Sequence, residues 1–228
     1  MVSGLFTACE KKQSSTIAVS GRSQINVPAN LLKIQISAVT TAKTTADAIG
    51  KNNEKIKKTI ASLKDIGLKD DNIQTQGYSL SPLWKAKSKD SPENWHPSIV
   101  GYKVENSLRI KTSNIDMAGK IIENAIKSGA NKIDSVIFAL DDENKYKTEA
   151  ICKAISNGKS YAETMAKAGG VSLIKIKDMS LGRTYIMANN PMSYSNAMMK
   201  TDEAGGMPEI IIGEVKVEAN VNITYLIR

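Results

Sequence analysis

Residues 71–84 read DNIQTQGYSLSPLW, and residues 98–112 read SIVGYKVENSLRIKT. In the second segment Tyr102, Val104, Asn106, Leu108 and Ile110 fall on one side, and Lys103, Glu105, Ser107, Arg109 and Lys111 on the other. Strict alternation over that length marks a strand with one buried face and one wet face. The first segment alternates less clearly, with Ile73, Thr75 and Gly77 on one side. Between the two stand Pro82, Pro92 and Pro97 among Lys, Ser and Asp residues, the composition of a long exposed connection. The stretch therefore predicts an antiparallel strand pair in mid-chain, with a helix on each side of it in sequence.

Upstream, residues 17–27 (IAVSGRSQINV) alternate until Gly21 breaks the pattern, Pro28-Ala29-Asn30 forms a turn, and Leu32, Ile34, Ile36 and Ala38 alternate again. This predicts a strand–turn–strand opening, with strands over 17–27 and 32–41. In residues 44–63, Ala46, Ile49, Asn53, Ile56, Ile60 and Leu63 recur at steps of three and four, the stripe of an amphipathic helix. Thr44 or Thr45 suits its N-cap and Gly67 its end.

Downstream, Ser113 or Asn114 is the expected cap of a second helix running to Lys127, with Met117, Ile121, Ile122, Ala125 and Ile126 on its apolar side and Ser128-Gly129 as its stop. A strand over 133–140 follows, carrying Ile133, Val136, Phe138 and Leu140. The third helix, 142–168, is the longest. Asp141, Asp142 and Glu143 crowd its N-terminus, where the helix dipole favours negative charge. Ala150, Ala154, Gly158, Ala162 and Ala166 recur every fourth residue, a stripe that lets the helix lie close on a sheet or another helix. Cys152 is expected to be a small buried or half-buried residue of this helix. Residues 173–181 read as a strand and 182–208 as a long methionine-bearing loop; residues 210–227, with Val215, Val217, Ala219, Val221, Ile223 and Tyr225 alternating, read as a long final strand.

Hydrophobic residues make up 41% of the 228-residue chain but aromatics only 5%, so the core must be aliphatic. The net charge of +8 is spread along the whole chain beside Glu and Asp, the pattern of a solvated surface, and no nucleic-acid partner is expected. The lysines of the first helix, Lys51, Lys55 and Lys58, are read the same way. The chain contains no apolar run of about 18 residues, the length a transmembrane helix needs.

Phe6-Thr7-Ala8-Cys9, followed by a charged tail, is similar to the end of a bacterial lipoprotein signal, in which Cys9 becomes the lipidated residue. The apolar region before Cys9 is shorter than a full signal peptide of about 15–30 residues. Residues 1–14 are accordingly expected to be a signal remnant or disordered tail, and residues 15–228 one domain, with membrane-surface association through Cys9. Cys9 and Cys152 sit in very different contexts and no C-x-x-C is present, so neither a disulfide nor a metal site is expected.

No nucleophile elbow, zinc-protease motif, P-loop or dinucleotide fingerprint occurs, and the single histidine, His96, lies in the Pro-rich connection. Asp70-Asp71 and Asp141-Asp142 read as turn and helix-start residues. No catalytic residue and no cofactor is therefore expected. The methionines Met187, Met192, Met198, Met199 and Met207 read as an adaptable contact surface rather than a soft-metal site.

Several pieces then coincide in order: IAVSGRSQINVPAN, Asn52-Asn53 of the first helix, IQTQGYSLSPLW, Gly101-Tyr102, SGANKIDSVIFALDD, the Ala-rich third helix and IIIGEVKVEANVNITYLI. Together they resemble the SIMPL-domain family, also called DUF541, from about Ser15 to the C-terminus. Where that family often has Pro-Gly, this chain has Ile212-Gly213. The resemblance implies an α+β fold, with about three helices packed on antiparallel sheet. It also implies an extracytoplasmic location and a tendency to self-assemble, and it brings no catalytic residues. The leading reading is a non-enzymatic, homo-oligomeric cell-envelope protein. The others are a binding module for an anionic polysaccharide or lipid headgroup, favoured by lysines clustering on one face, and a hydrolase, favoured by a pocket joining His96 to an acid and a hydroxyl. For the oligomer, strands 99–112 and 210–227 are the expected sheet edges, and loops 182–208 or 81–98 the expected contact regions.

Overall fold

The computed structural model describes residues 15–89, 92–188 and 212–228. They form seven strands and three helices in chain order: β1 (Thr16–Pro28), β2 (Leu31–Ala42), α1 (Thr45–Asp65), β3 (Ile73–Trp84), β4 (Ile99–Thr112), α2 (Ala118–Ser128), β5 (Lys132–Ala139), α3 (Glu143–Ala168), β6 (Leu173–Met187) and β7 (Glu214–Ile227). Among the described residues there are two antiparallel sheets, of order β3-β4-β2-β5 and β1-β7-β6, and the α+β expectation holds. The chain divides into two compact units, one built on residues 27–141 and the other on residues up to 26, 142–187 and 216–228.

In the unit built on residues 27–141, β2 is the centre. It pairs antiparallel with β4 along nearly its whole length, Leu32 opposite Thr112 through Ala42 opposite Tyr102, and with β5 on its other side. The even positions Leu32, Ile34, Ile36 and Ala38 are buried, together with Val104, Leu108, Ile110, Val136 and Phe138. These face α1 and α2, whose buried residues include Ile56, Leu63, Ile121, Ile122 and Ala125. The register of β2 and β5 slips between Gln35 and Ile36, so Ile133, Val136 and Phe138 face the core although the first two are three residues apart. A bulge of this kind inserts one residue and lets the alternation restart.

Helix α1 starts where its cap predicts: the Thr44 side chain accepts from the Asp47 N–H. Its buried stripe differs from the expected one. Ala48, Asn52, Ile56, Thr59 and Leu63 are buried, whereas Ala46 and Asn53 are exposed. The rotation brings a polar residue inward: Asn52 Nδ2 donates to the Ala38 carbonyl at 2.7 Å, while its buried Oδ1 has no hydrogen-bond partner among the described residues. The start of α2 is also corrected. Neither Ser113 nor Asn114 caps it; a 3-10 turn, Ile115–Met117, leads directly into the helix with no side-chain cap. Its end agrees with expectation, Gly129 taking a left-handed φ of 127°.

In the other unit α3 lies on β1 and β7, and glycine sets the distance. A Cβ on Gly21 of β1 would stand 2.1 Å from the Ala154 carbonyl oxygen and 2.7 Å from the Gly158 nitrogen, both backbone atoms. A Cβ on Gly158 would stand 3.3 Å from the Gly21 Cα. The break that Gly21 makes in the β1 pattern is thus the crossing point of strand and helix. Two polar links tie the same crossing: the Ser23 hydroxyl donates to the Ala150 carbonyl at 2.6 Å, and Asn157 Nδ2 donates to the Arg22 carbonyl at 2.8 Å. The Ala150–Ala154–Gly158–Ala162–Ala166 stripe is buried throughout. Cys152 is exposed, contrary to expectation, because it lies off that stripe.

Three further expectations change. Strand β6 runs to Met187, so residues 182–187 are strand; the rest of the expected loop, 189–208, lies outside the described residues apart from Ala188. Strand β7 begins at Glu214, with Ile212 and Gly213 irregular. The long alternating strands β4 and β7 are not edges: each sits between two neighbours, and among the described residues the edges are β3, β5, β1 and β6. A central strand buries one face against helices and keeps the sharper alternation, whereas β3 and β6 are exposed along most of their length.

Candidate functional surfaces

Two kinds of surface stand out, apolar strips on edge strands and a charged sheet face. Among the described residues, strand β6 pairs only with β7. Its Ile176, Met179 and Leu181 lie opposite Tyr225, Ile223 and Val221, on the face that carries α3. Helix α3 packs closely on β1 and β7 and also meets β6, yet these three β6 side chains remain about half exposed. Tyr161 and Met165 of α3 are likewise exposed. An unpaired strand edge presents free N–H and C=O groups, and an apolar strip beside it favours pairing with another chain. In the other unit the β3–β4 end carries a second strip, with Tyr78, Leu80, Trp84, Ile99 and Val100 exposed. The Lys85 N–H to Ser98 carbonyl bond, 2.8 Å, closes the base of the connection that follows.

The odd positions of β2 and β4 form the sheet face turned away from α1 and α2, and this face has two halves of opposite character. At one end Lys132 binds Glu105 at 2.7 Å and Asp134 at 2.8 Å, and Lys103 lies 3.4 Å from Glu105. Ser37, 1% exposed, meets Ser107 at 2.7 Å and also bonds the Asp134 carboxylate. The Lys132 ammonium, chiefly through its hydrogen bond, holds the Glu105 carboxyl below its ordinary value; Asp134 and then Glu105 raise Lys132 in return.

At the other end Lys33, Gln35, Arg109, Lys111, Ser135, Ile34 and Ile137 line a cleft of about 420 Å³ that contains no carboxylate. Lys33 is directly opposite Lys111 in the register and Gln35 opposite Arg109. Like charges directly opposite destabilise a strand pair. None of these three cations has an ion-pair partner among the described residues.

A larger cleft, about 600 Å³, lies between α1 and α2 and is lined by Lys51, Lys55, Lys58 and Lys127. Its charge is partly compensated, Lys58 by Glu54 and Lys127 by Glu123. His96 is exposed in the β3–β4 connection and lines neither cleft. Asp142 caps α3 by accepting from the Lys145 N–H, Asp141 accepts from Asn30 Nδ2, and Asp70 pairs with Lys64. The acidic pairs therefore act as the turn and helix-start residues they were expected to be. Among the described residues no cluster of His, Cys, Asp and Glu is arranged to hold a metal, and no helix is long and apolar enough to cross a membrane. Cys9 lies outside the described residues.

Two antiparallel sheets with helices packed on them define an α+β protein. The chain belongs to the SIMPL family, described as proteins of unknown function (DUF541), whose family model matches residues 17–225. It is similar to the 26 kDa periplasmic immunogenic protein of Brucella melitensis, 26% identical over 217 residues, which is 95% of this chain and 86% of that protein. It is also similar to the uncharacterised protein YggE of Escherichia coli K12, 22% identical over 204 residues, 89% of this chain and 79% of that one.

Proposed function

We propose that this chain is a non-enzymatic cell-envelope protein that works by associating with copies of itself, with β6 as the contact edge. The observation that carries the reading is the apolar strip Ile176, Met179 and Leu181 on a strand that is an edge among the described residues. The name of the Brucella relative supports an extracytoplasmic place. Closed symmetric assembly is the common outcome for soluble homo-oligomers. Light scattering at tens of micromolar (about the range where weak association shows) is expected to give a mass above 24.7 kDa for the intact chain. The double variant Ile176→Lys and Leu181→Lys, both at exposed positions, is expected to return it to the monomer with an unchanged circular dichroism spectrum. A monomeric intact chain sinks the reading.

Lipidation of Cys9 is the proposed anchor in the natural precursor, on the strength of the Phe6–Cys9 context. A single acyl chain binds membranes marginally, so a stable anchor takes more than one. Full-length protein is then expected to partition into detergent and the Cys9→Ser form into water; equal partitioning of the two removes the proposal. A second reading, a binding module for an anionic envelope ligand, is favoured by one observation, the uncompensated Lys33, Arg109 and Lys111 on a single sheet face.

A further inference from the structure

We infer that the cleft lined by Lys33, Gln35, Arg109, Lys111 and Ser135 binds a phosphate group. The inference rests on the second reading above and gives it a site and a ligand chemistry. Its first support is the contrast within one sheet face. Where carboxylates are present, the face pairs its cations, Lys132 with Glu105 and Asp134 and Lys103 with Glu105. Where they are absent, Lys33 and Lys111 stand opposite each other and Arg109 lies one alternate position along β4. Three positive charges converging without a counter-ion repel one another, and an anion between them removes that repulsion.

The second support is the set of neutral groups. Gln35 lies opposite Arg109 on one side and opposite Ser135 on the other, so both polar side chains sit in the same rows as the cations. Neither makes a side-chain hydrogen bond among the described residues. A guanidinium fork, two ammonium points and an amide–hydroxyl pair suit a tetrahedral oxyanion carrying up to two negative charges better than a planar, singly charged carboxylate. The cleft between α1 and α2 is larger but includes Glu54 in its lining, and two of its four lysines already have carboxylate partners. The phosphate is either that of a soluble ester or that of a lipid headgroup, and the two arms below separate these sources.

The first arm titrates the intact, isotope-labelled chain with inorganic phosphate at constant ionic strength, followed by amide NMR shifts. Saturable shifts confined to residues 33–37, 107–112 and 134–138 are expected. The double variant Arg109→Gln and Lys111→Gln should bind at least about tenfold more weakly, as expected when charge-assisted contacts are lost. Lys51→Gln with Lys55→Gln, in the other cleft, should change affinity by less than about twofold. Shifts scattered over many lysines, no saturation, or equal weakening by both pairs of substitutions overturns the site. The second arm measures cosedimentation with phosphatidic acid vesicles against phosphatidylcholine vesicles. Binding that the Arg109/Lys111 variant abolishes assigns the phosphate to a lipid; a positive phosphate titration without vesicle binding assigns it to a soluble ester. Vesicle binding that the variant leaves intact overturns this cleft and leaves the broader anionic-ligand reading standing, whereas no binding in either arm removes both.

Discussion

The two units join helices to sheets in opposite ways. In the unit built on residues 27–141, α1 and α2 meet the sheet through Ile56, Leu63, Ile121 and Ile122 against Leu32, Ile34, Leu108, Ile110 and Phe138. In the other, α3 meets β1 and β7 through alanines and Gly158, and at Gly21 nothing larger than hydrogen fits. The first mode gains stability from the apolar area that large side chains remove from water. The second gains contact by bringing backbones together. The strip proposed for self-association lies in this second unit: Ile176, Met179 and Leu181 stay about half exposed although α3 also meets β6.

That difference predicts opposite sensitivities. Removing atoms should damage the first unit most. Phe138 is fully buried, and Phe138→Ala is expected to cost about 3–5 kcal/mol through lost transfer energy and the cavity left behind. Adding atoms should damage the second. The single methyl of Gly21→Ala meets the Ala154 carbonyl and the Gly158 backbone, neither of which is a flexible side chain, so about 1–3 kcal/mol is expected, toward the upper end. Urea denaturation of both variants checks the pair. The contrast breaks if Gly21→Ala is neutral, because α3 would then have room to lift from β1 at little cost.

The same contrast explains what was legible in the sequence. Large aliphatic residues at a fixed period are a strong signal, which is why β2 and β4 and the buried Ile56 and Leu63 were readable from residue order. Asn52 and Thr59 were missed on α1 because they are polar residues buried by a hydrogen bond or a local contact, and periodicity counts only apolar ones. The three-residue step from Ile133 to Val136 was visible and marks the β5 bulge, but a single irregular step does not identify itself. Strand β6 was cut short at Leu181 because Gly182-Arg183 interrupts its pattern at a register shift. Edge and centre were exchanged for a related reason: alternation reports burial of a face, not the number of neighbours a strand has. The candidate surfaces were the least legible. Lys33, Arg109 and Lys111 are ordinary wet-face residues in sequence, and only the pairing of β2 with β4 brings them together across 76 or more positions.

The smallest expected effect tests whether the charge-compensated half of the outer sheet face contributes to the first unit beyond its core. Glu105 is the shared acceptor of Lys132 and Lys103, with its side chain 20% exposed. Its carboxyl is held below the ordinary value of 4.5, first by the hydrogen bond from Lys132. A depressed carboxylate contributes stability that is present above its unfolded value and lost as pH falls through the folded one. Lys132 has the opposite sign: raised above 10.5 by Asp134 and Glu105, it contributes below that value and loses its contribution as pH rises past it. The network is therefore complete between these limits and should weaken on acidification below about pH 4.5. Glu105→Gln is expected to cost about 0.5–1 kcal/mol at pH 7, the scale of a well-placed but partly solvated ion pair, and less at pH 3 as the carboxylate becomes protonated. Thermal unfolding of both forms at the two pH values reads the difference directly. A cost undiminished at pH 3 would show that the carboxylate charge is not its source, since glutamine keeps the stem and its packing.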